Sequence, residues 1–586
     1  MRGRSPTIAV FGIVLFCFFV QAQHQPASFD PAAKLEGLWG AKLRFGPDIR
    51  GRVFILEAQD GWRADMAGLS VPARLDGQNI SFELPDGKGR FRGKRTGQEI
   101  LGQWIQSRTQ VNGSEMATPV TLTPDAPSRW RGFVAPMEDT FTWYLHVTRM
   151  PNGMMAAYLR NPERNQGRFL SVTRVELEAD TIRLLGRRNN DAPESVVATG
   201  RYENNETFSL SLRGGLYEFT KMTDLASSPF YPRGKPGHRY AYTPPVPLKD
   251  GWPVGKLEDV GMSRGQIEKF IQMLIDVPMD SIGSSQVHSV LIARHGKLVV
   301  EEYFHGYNRD MPHDTRSAAK SWTAALIGAA MHAGIPIALN TPVYQTMLSS
   351  LPTDLDPRKR AMTLEHLISM TAGYDCNDND SSAPLNEDAM QEQEDEPDWY
   401  RYTLNVPMAS NPGEKIVYCS AVANLAGGVL RKIANEPLPE LFHRLIAKPL
   451  EMGTYHLLLT PTAETYGGGG HHFLPRDFMK LAQLMVNGGK WGGKQILSKE
   501  WTEKSGAALR DLTPNQQYGY LWNSVKYSYK GKKVHAYFAG GNGGQIFLGI
   551  PELDLVIAFT GGSYADPALF IPQRVYIPEY ILPAVN

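Results

Sequence analysis

The chain has 586 residues, too many for one ordinary hydrophobic core, so roughly two to four domains are expected. A net charge of +1, with 21% charged residues, carries neither the basic excess of a nucleic-acid binder nor an acidic excess that would call for a basic partner.

The first segment, "MRGRSPTIAVFGIVLFCFFVQAQ", places basic residues before an apolar run and ends in an Ala-containing cleavage pattern. It reads as a signal peptide over residues 1–22, implying export to the periplasm or the extracellular space. The apolar run is short for a membrane span, and an uncleaved anchor is the rival reading. Cys17 lacks the small residues expected before a lipidated cysteine. Past this segment Cys376 and Cys419 remain, either as one disulfide, the favoured reading for an exported protein, or as two buried thiols.

Residues 33–228 predict β structure. Short alternating runs such as "RVFILEA", "ISFEL" and "FSLSLRG" are separated by Gly, Asp and Asn turn signals. A weak internal repeat relates the stretch from Ile80 to that from Ile182, each with a strand, a Gly-Arg-aromatic strand, a polar turn and a further strand. Two related units, barrel- or sandwich-like, are expected, with Trp39 as a core or barrel-end residue. This region has no function legible in it beyond an accessory role, such as contact with glycan, lipid or protein.

Prolines crowd residues 229–254, which predicts a semi-extended linker. Residues 255–586 change texture. "SRGQIEKFIQMLID" predicts an amphipathic helix with Ser263 as N-cap, and "HSVLIARHGKLVVEEYFHGY" a hairpin around His295-Gly296. "SAAKSWTAALIGAAMHAG" predicts a helix closed by Gly334, followed by short helices and loops. The tail returns to strands in "YGYLWNSV", "KKVHAYFAGG", "GGQIFLGIPE" and "DLVIAFTGG". Strands at both ends with helices between predict an α+β domain, an antiparallel sheet with a helical subdomain.

Several short motifs compete for the chemistry. "GMSRG" has the spacing of a nucleophile elbow, but a proline-rich segment precedes it where a strand is required, so Ser263 reads as a helix cap. "DCNDND", from Asp375, opens like a calcium loop, but Asp380 stands where glycine is needed and Asn386 where the bidentate glutamate is needed. The acidic run "NEDAMQEQEDEPDW" reads as a solvated loop or a lid, and His471-His472 as loop residues with no second metal-ligand pair.

"HDTRSAAKSW" is different. Roughly one Ser-x-x-Lys is expected by chance in a chain of this length, and this chain has one. At i and i+3 of a helix, Ser317 and Lys320 share a face. A serine at a helix N-terminus also sits beside free N–H groups suited to a developing oxyanion. The lysine amine can take the hydroxyl proton if desolvation lowers its pKa, and "AALIGAA" offers a dry setting. The bland reading is a capping serine with a snorkelling lysine. Two later features tip the balance: Tyr418-Cys419-Ser420 ahead of an apolar helix, and a glycine-rich strand in "FAGGNGGQIFLGIPELDLVIAFTGG" that lets a substrate backbone approach.

With these three motifs in order, and with "TLEHLISMTAGYDC", "GGGGHHFLPRDFMKLAQLMVNGGKWGGKQILSKEW" and "IPELDLVIAFTGG" between and after them, residues 255–580 resemble the serine β-lactamase-related hydrolases. That group spans class C β-lactamases, D-alanyl-D-alanine carboxypeptidases, related esterases and aminohexanoate-oligomer hydrolases. The resemblance implies Ser317 as acylated nucleophile, Lys320 as proton acceptor and Tyr418 as the proton-shuttling tyrosine. It implies an oxyanion hole from the N–H groups of Ser317 and Asn542, with Gly540, Gly541 and Ser420 lining the substrate site. No metal or organic cofactor is called for, and the substrate is a small or peptide-like ester or amide.

Two positions depart from the family pattern. Ser420 replaces the asparagine of the second motif, and Ala539 replaces the cationic residue of the third, which helps hold a substrate carboxylate in β-lactam-processing members. The expectation is therefore an exported esterase or amidase. A peptidoglycan D,D-peptidase or β-lactamase is the alternative, and a non-catalytic binding protein on the same scaffold is a second.

Overall fold

A computed structural model describes residues 30–586 apart from 48, 110–112, 163–170, 188–191, 213–214, 235 and 281–282. The signal peptide expected at 1–22 lies outside the described residues. Among the described residues no helix is long and apolar enough to cross a membrane.

The N-terminal β region is two units, as the repeat suggests, but they are not in tandem. Eight strands close a barrel in the order Gly37–Gly46, Asp139–Arg149, Met155–Arg160, Val172–Glu178, Thr181–Gly186, Ser195–Tyr202, Thr207–Leu212 and Gly215–Lys221. The alternation of apolar and polar side chains puts one face of each strand inside. Trp39 fills that interior, its ring 4.7 Å from Phe208, which stacks on Phe219 at 5.1 Å. Its indole N–H donates to the Leu35 carbonyl, so it is a core residue.

The second unit, running from Gly51–Ala58 to Arg129–Val134, is inserted between the first and second barrel strands. Its two edge strands, Leu69–Pro72 and Arg74–Asp76, are separated by one residue, so the sheet rolls around a core that includes Phe82, Phe91 and Trp104. The repeated stretches are corresponding antiparallel meanders, Asn79–Gln106 in this unit and Thr181–Leu212 in the barrel.

Among the described residues of 229–254 there is no helix and, apart from a single bridge from Val254 to Leu298, no strand pairing, as their prolines require; the segment is exposed over much of its length but pinned at intervals. Phe230 is buried against Tyr144 of the barrel. The Tyr242 hydroxyl donates to the Val299 carbonyl (2.8 Å), and the Trp252 indole to that of Arg476 (3.1 Å).

The C-terminal part is α+β. An eight-stranded antiparallel sheet is built mainly from Val287–Arg294, Lys297–Tyr303, Asn523–Tyr529, Lys532–Gly541, Gln545–Ile550 and Leu555–Gly561. One face packs on the helix Arg264–Ile275 and the C-terminal turns. The other packs on a helical layer containing Lys320–His332, Ser420–Ala434 and Pro475–Val486. Lys320–His332 is buried on nearly every side, which is why its sequence is apolar all round.

The β units are joined firmly to this domain. Leu457–Leu458 pairs with Met116–Ala117, and the Leu459 N–H donates to the Glu115 carbonyl (3.0 Å). Arg92 reaches Glu440 (2.8 Å) and the Ala463 carbonyl (3.2 Å), while Arg160 donates to Gln286 (2.9 Å).

Candidate active site

Ser317 lies in the 3-10 turn Arg316–Ala319, and the α-helix proper begins at Lys320. Sequence spacing predicted one helix through both residues. The tighter turn serves better, because side chains at i and i+3 eclipse one another in a 3-10 turn. The Lys320 Nζ stands 2.9 Å from the Ser317 Oγ, with the lysine only 1% exposed.

The turn is held by main-chain contacts from a distant loop. Thr315 donates through its N–H (2.9 Å) and its hydroxyl (2.8 Å) to the His471 carbonyl. Asp314 pairs with His472, and the Gly470 N–H donates to the Arg316 carbonyl (3.3 Å). Arg316 itself adopts the left-handed region at φ 46°, locked by an ion pair with Asp314 at 2.8 Å. His471-His472, read from sequence as loop residues, thus belongs to the scaffold of the nucleophile. Burial pushes the His471 imidazole down to about 3, so it is neutral, and it accepts the Leu458 N–H.

The run Gly467–Gly470 passes directly over the turn. At Gly469 a Cβ would sit 2.6 Å from the Arg316 carbonyl, so only glycine admits this approach. The same run aims the Gly468 carbonyl at Lys320, which donates to it at 2.7 Å.

Tyr418 completes the group. The Lys320 Nζ lies 5.0 Å from its ring centroid. Burial pushes Lys320 down, as the sequence reading anticipated. The Tyr418 oxygen and the carboxylates of Glu387 and Asp378 outweigh burial, and the lysine ends above its ordinary value. The desolvation-lowered base expected from "AALIGAA" is therefore replaced by an ammonium held among acceptors.

Asp378 comes from the "DCNDND" motif, and Glu387 from the stretch read as a solvated loop. Instead it forms the helices Glu387–Glu392 and Trp399–Asn405, pinned by buried Met390 and Trp399. Glu387 accepts from the Tyr466 hydroxyl at 2.7 Å. Asp378 accepts from both the N–H and the hydroxyl of Ser420, each at 2.7 Å. Cys376 and Cys419 form a disulfide, with Cα atoms 6.0 Å apart, so the sulfurs beside Asp378 are spent on each other.

The third motif lies on Lys532–Gly541. Ala539 is buried in the apolar core, so this strand position carries no cation. At Gly541 a Cβ would stand 2.4 Å from the Thr315 carbonyl and 3.1 Å from the Ala318 nitrogen, which places this strand end hard against the nucleophile turn. Gly540 is partly exposed beside it. Asn542 is exposed, and its side-chain oxygen accepts the Ala565 N–H (2.7 Å). Buried Gln545 fixes the turn by donating to the carbonyls of Gly561 (2.6 Å) and Asn542 (3.3 Å) and accepting the Gly561 N–H (3.1 Å).

Sequence reasoning placed Ser317, Lys320, Tyr418, Ser420 and Gly541 in one neighbourhood, and the structure brings them together. It missed Gly468, Asp378 and Glu387. Four consecutive glycines were the available signal for the first, and a cysteine inside the second motif for Asp378.

The family model described as Beta-lactamase matches residues 280–563. No curated protein sequence matches the chain. Among solved structures, the chain is similar to EstCE1, a hydrolase with promiscuous acyltransferase activity, at 18% identity and TM-score 0.42, covering 55% of this chain and 97% of that one. It is also similar to an octameric penicillin-binding protein homologue from Pyrococcus abyssi, at 19% identity and TM-score 0.41, covering 55% and 80%. A third is a D-stereospecific amidohydrolase from Streptomyces sp., at 14% identity and TM-score 0.39, covering 50% and 95%.

Proposed function

Because residues 280–563 form a domain of the serine β-lactamase-related family, we propose that the protein is an exported serine hydrolase that cleaves an ester or amide through an acyl-enzyme on Ser317. The observation that carries this reading is the 2.9 Å contact between the Lys320 Nζ and the Ser317 Oγ, with the Tyr418 ring 5.0 Å from the same Nζ.

The Ser317 Oγ attacks the carbonyl carbon as its proton passes to Lys320 and Tyr418, a coupled acid–base unit that reacts in the form short of one proton, the Lys320 ammonium or the Tyr418 phenol having first released it to solvent. The N–H groups of Ser317 and Asn542 receive the oxyanion. The tetrahedral intermediate collapses, the bond to the leaving oxygen or nitrogen breaks, and the same unit returns the proton to it. Water, giving a proton to that unit, then attacks the Ser317 ester. The acid departs and Ser317 regains its hydrogen.

Ala539 and the two carboxylates near Lys320 favour an esterase or amidase over a carboxypeptidase or β-lactamase, since nothing in the third motif would neutralise a substrate carboxylate. Export is supported by the leader-like first 22 residues and by the Cys376–Cys419 disulfide, which suits an oxidising compartment. Intact-protein mass spectrometry against a panel of esters, amides and penicillins tests the proposal. Acyl adducts are expected from esters or amides, mapping to Ser317 and absent from Ser317→Ala. Full ester hydrolysis by Ser317→Ala overturns the assignment. Adducts from penicillins alone would move it to the peptidase or β-lactamase side.

A further inference from the structure

The second motif of this chain is clamped by a second segment at every one of its three residues. The Asp378 N–H donates to the Tyr418 carbonyl at 3.2 Å. Cys419 is joined to Cys376 by the disulfide. Ser420 gives both its N–H and its hydroxyl to one oxygen of the Asp378 carboxylate, while the other oxygen accepts the Glu387 N–H at 3.2 Å. Ser420 is the first residue of the helix Ser420–Ala434, so this carboxylate also sits at the positive end of a helix of 15 residues. Asparagine is absent from the motif, and a charged group delivered from elsewhere in the chain occupies its immediate surroundings.

We propose that Asp378 is a positioning residue for the Lys320–Tyr418 acid–base unit, delivered by the disulfide-bridged loop and acting through the Tyr418 backbone, Ser420 and its own negative charge. This rests on the acyl-enzyme reading above. Two independent features support it. The geometric one is the three-point clamp, which fixes where Tyr418 stands relative to Lys320. The electrostatic one is that Asp378, together with the Tyr418 oxygen and Glu387, holds the Lys320 ammonium above its ordinary value against burial.

The groups facing Lys320 can be named from each packed element. They are Ser317 on its own turn, the Gly468 carbonyl, Tyr418, Asp378 and Glu387. Behind them stand Tyr466, donating to Glu387, and Tyr518, edge-on to Tyr418 at 6.3 Å. Arg316 is occupied by Asp314. Asp378 is therefore one of two carboxylates acting on the lysine, and its removal should be felt without abolishing the effect.

The experiment compares wild type, Asp378→Asn and Asp378→Ala in the full chain, using a short-chain nitrophenyl ester and a fluorophosphonate probe. Asp378→Asn keeps the shape and can still accept from Ser420, but lacks the charge. If Lys320 must lose a proton to act, its acid limb in kcat/KM should move to lower pH by about half a unit or more. Asp378→Ala should in addition lower kcat about tenfold or more, with KM little changed. A merely structural aspartate would lower activity or stability without moving the limb in the folded Asn variant. An Asn variant with wild-type kcat and an unmoved limb overturns the inference. Failure of the underlying reading looks different, since wild type itself would then not label at Ser317.

Discussion

Gly541→Ala probes the closest contact between the third motif and the nucleophile. The new Cβ would lie 2.4 Å from the Thr315 carbonyl, whereas ordinary contact begins near 3.4 Å, so the strand end must retreat by about 1 Å. Thr315 cannot yield easily. Its carbonyl accepts the Ala318 N–H and closes the Ser317 turn, and its N–H and hydroxyl are both committed to His471. Gly541 does not have a positive φ, so the substitution carries no backbone strain of its own. The displacement would widen the gap between the Ser317 and Asn542 N–H groups. A 1 Å misplacement costs roughly 10²-fold in rate, and loss of one oxyanion donor roughly 10²–10³-fold. kcat/KM on a nitrophenyl ester should therefore fall about 100- to 1000-fold, with thermal unfolding reporting a destabilisation of about 1–3 kcal/mol from overpacking. A folded Gly541→Ala protein within about threefold of wild-type kcat/KM would refute both the oxyanion role of Asn542 and the tightness of this contact.

Lys320→Met fills the same buried space without the amine, and steady-state assays should show kcat lowered by about 10²–10⁴-fold, with fluorophosphonate labelling of Ser317 slowed in parallel. Reducing the Cys376–Cys419 disulfide, which closes a separation of 43 residues, should cost roughly 4 kcal/mol in the chain-entropy picture, read as a fall in the urea midpoint. Burial holds His456 and His471 at about 3 in the folded state, below the ordinary 6.5, so the unfolded chain binds more protons between these values. Their contribution to stability is complete above about pH 6.5 and declines as pH falls toward about 3, by about 1.4 kcal/mol per unit for each histidine. A urea midpoint that stays flat from pH 7 to pH 5 would contradict this.

How much was legible in the sequence depended on how local the signal was. Ser317 and Lys320 could be paired because three residues of helical chain fix their relation, whichever helix type forms. The strands of the C-terminal sheet were legible as apolar runs between turn residues. Lys320's proton affinity was not, because its partners come from residues 378, 387, 418 and 468, and their approach is a property of the fold. The acidic stretch misled for a related reason. Its charges suggested solvent, but Met390 and Trp399 anchor it, and Glu387 turns inward. The interleaving of the β units was also invisible, since strand patterns show where a strand is and not which partner it awaits.

That interleaving imposes an order of assembly. The strand Gly37–Gly46 pairs with Asp139–Arg149 and Gly215–Lys221, so on the emerging chain it has neither neighbour until the whole intervening unit has been made. The inserted sheet is contiguous in sequence and can roll up first, while the barrel closes only with its last strand, a late event of high contact order. Until then Gly37–Gly46 is an open edge, able to pair with another copy's strand. Export in an unfolded state would postpone that exposure until the chain had crossed, which makes the timing of barrel closure a point at which yield of the protein, separately from its activity, can be gained or lost.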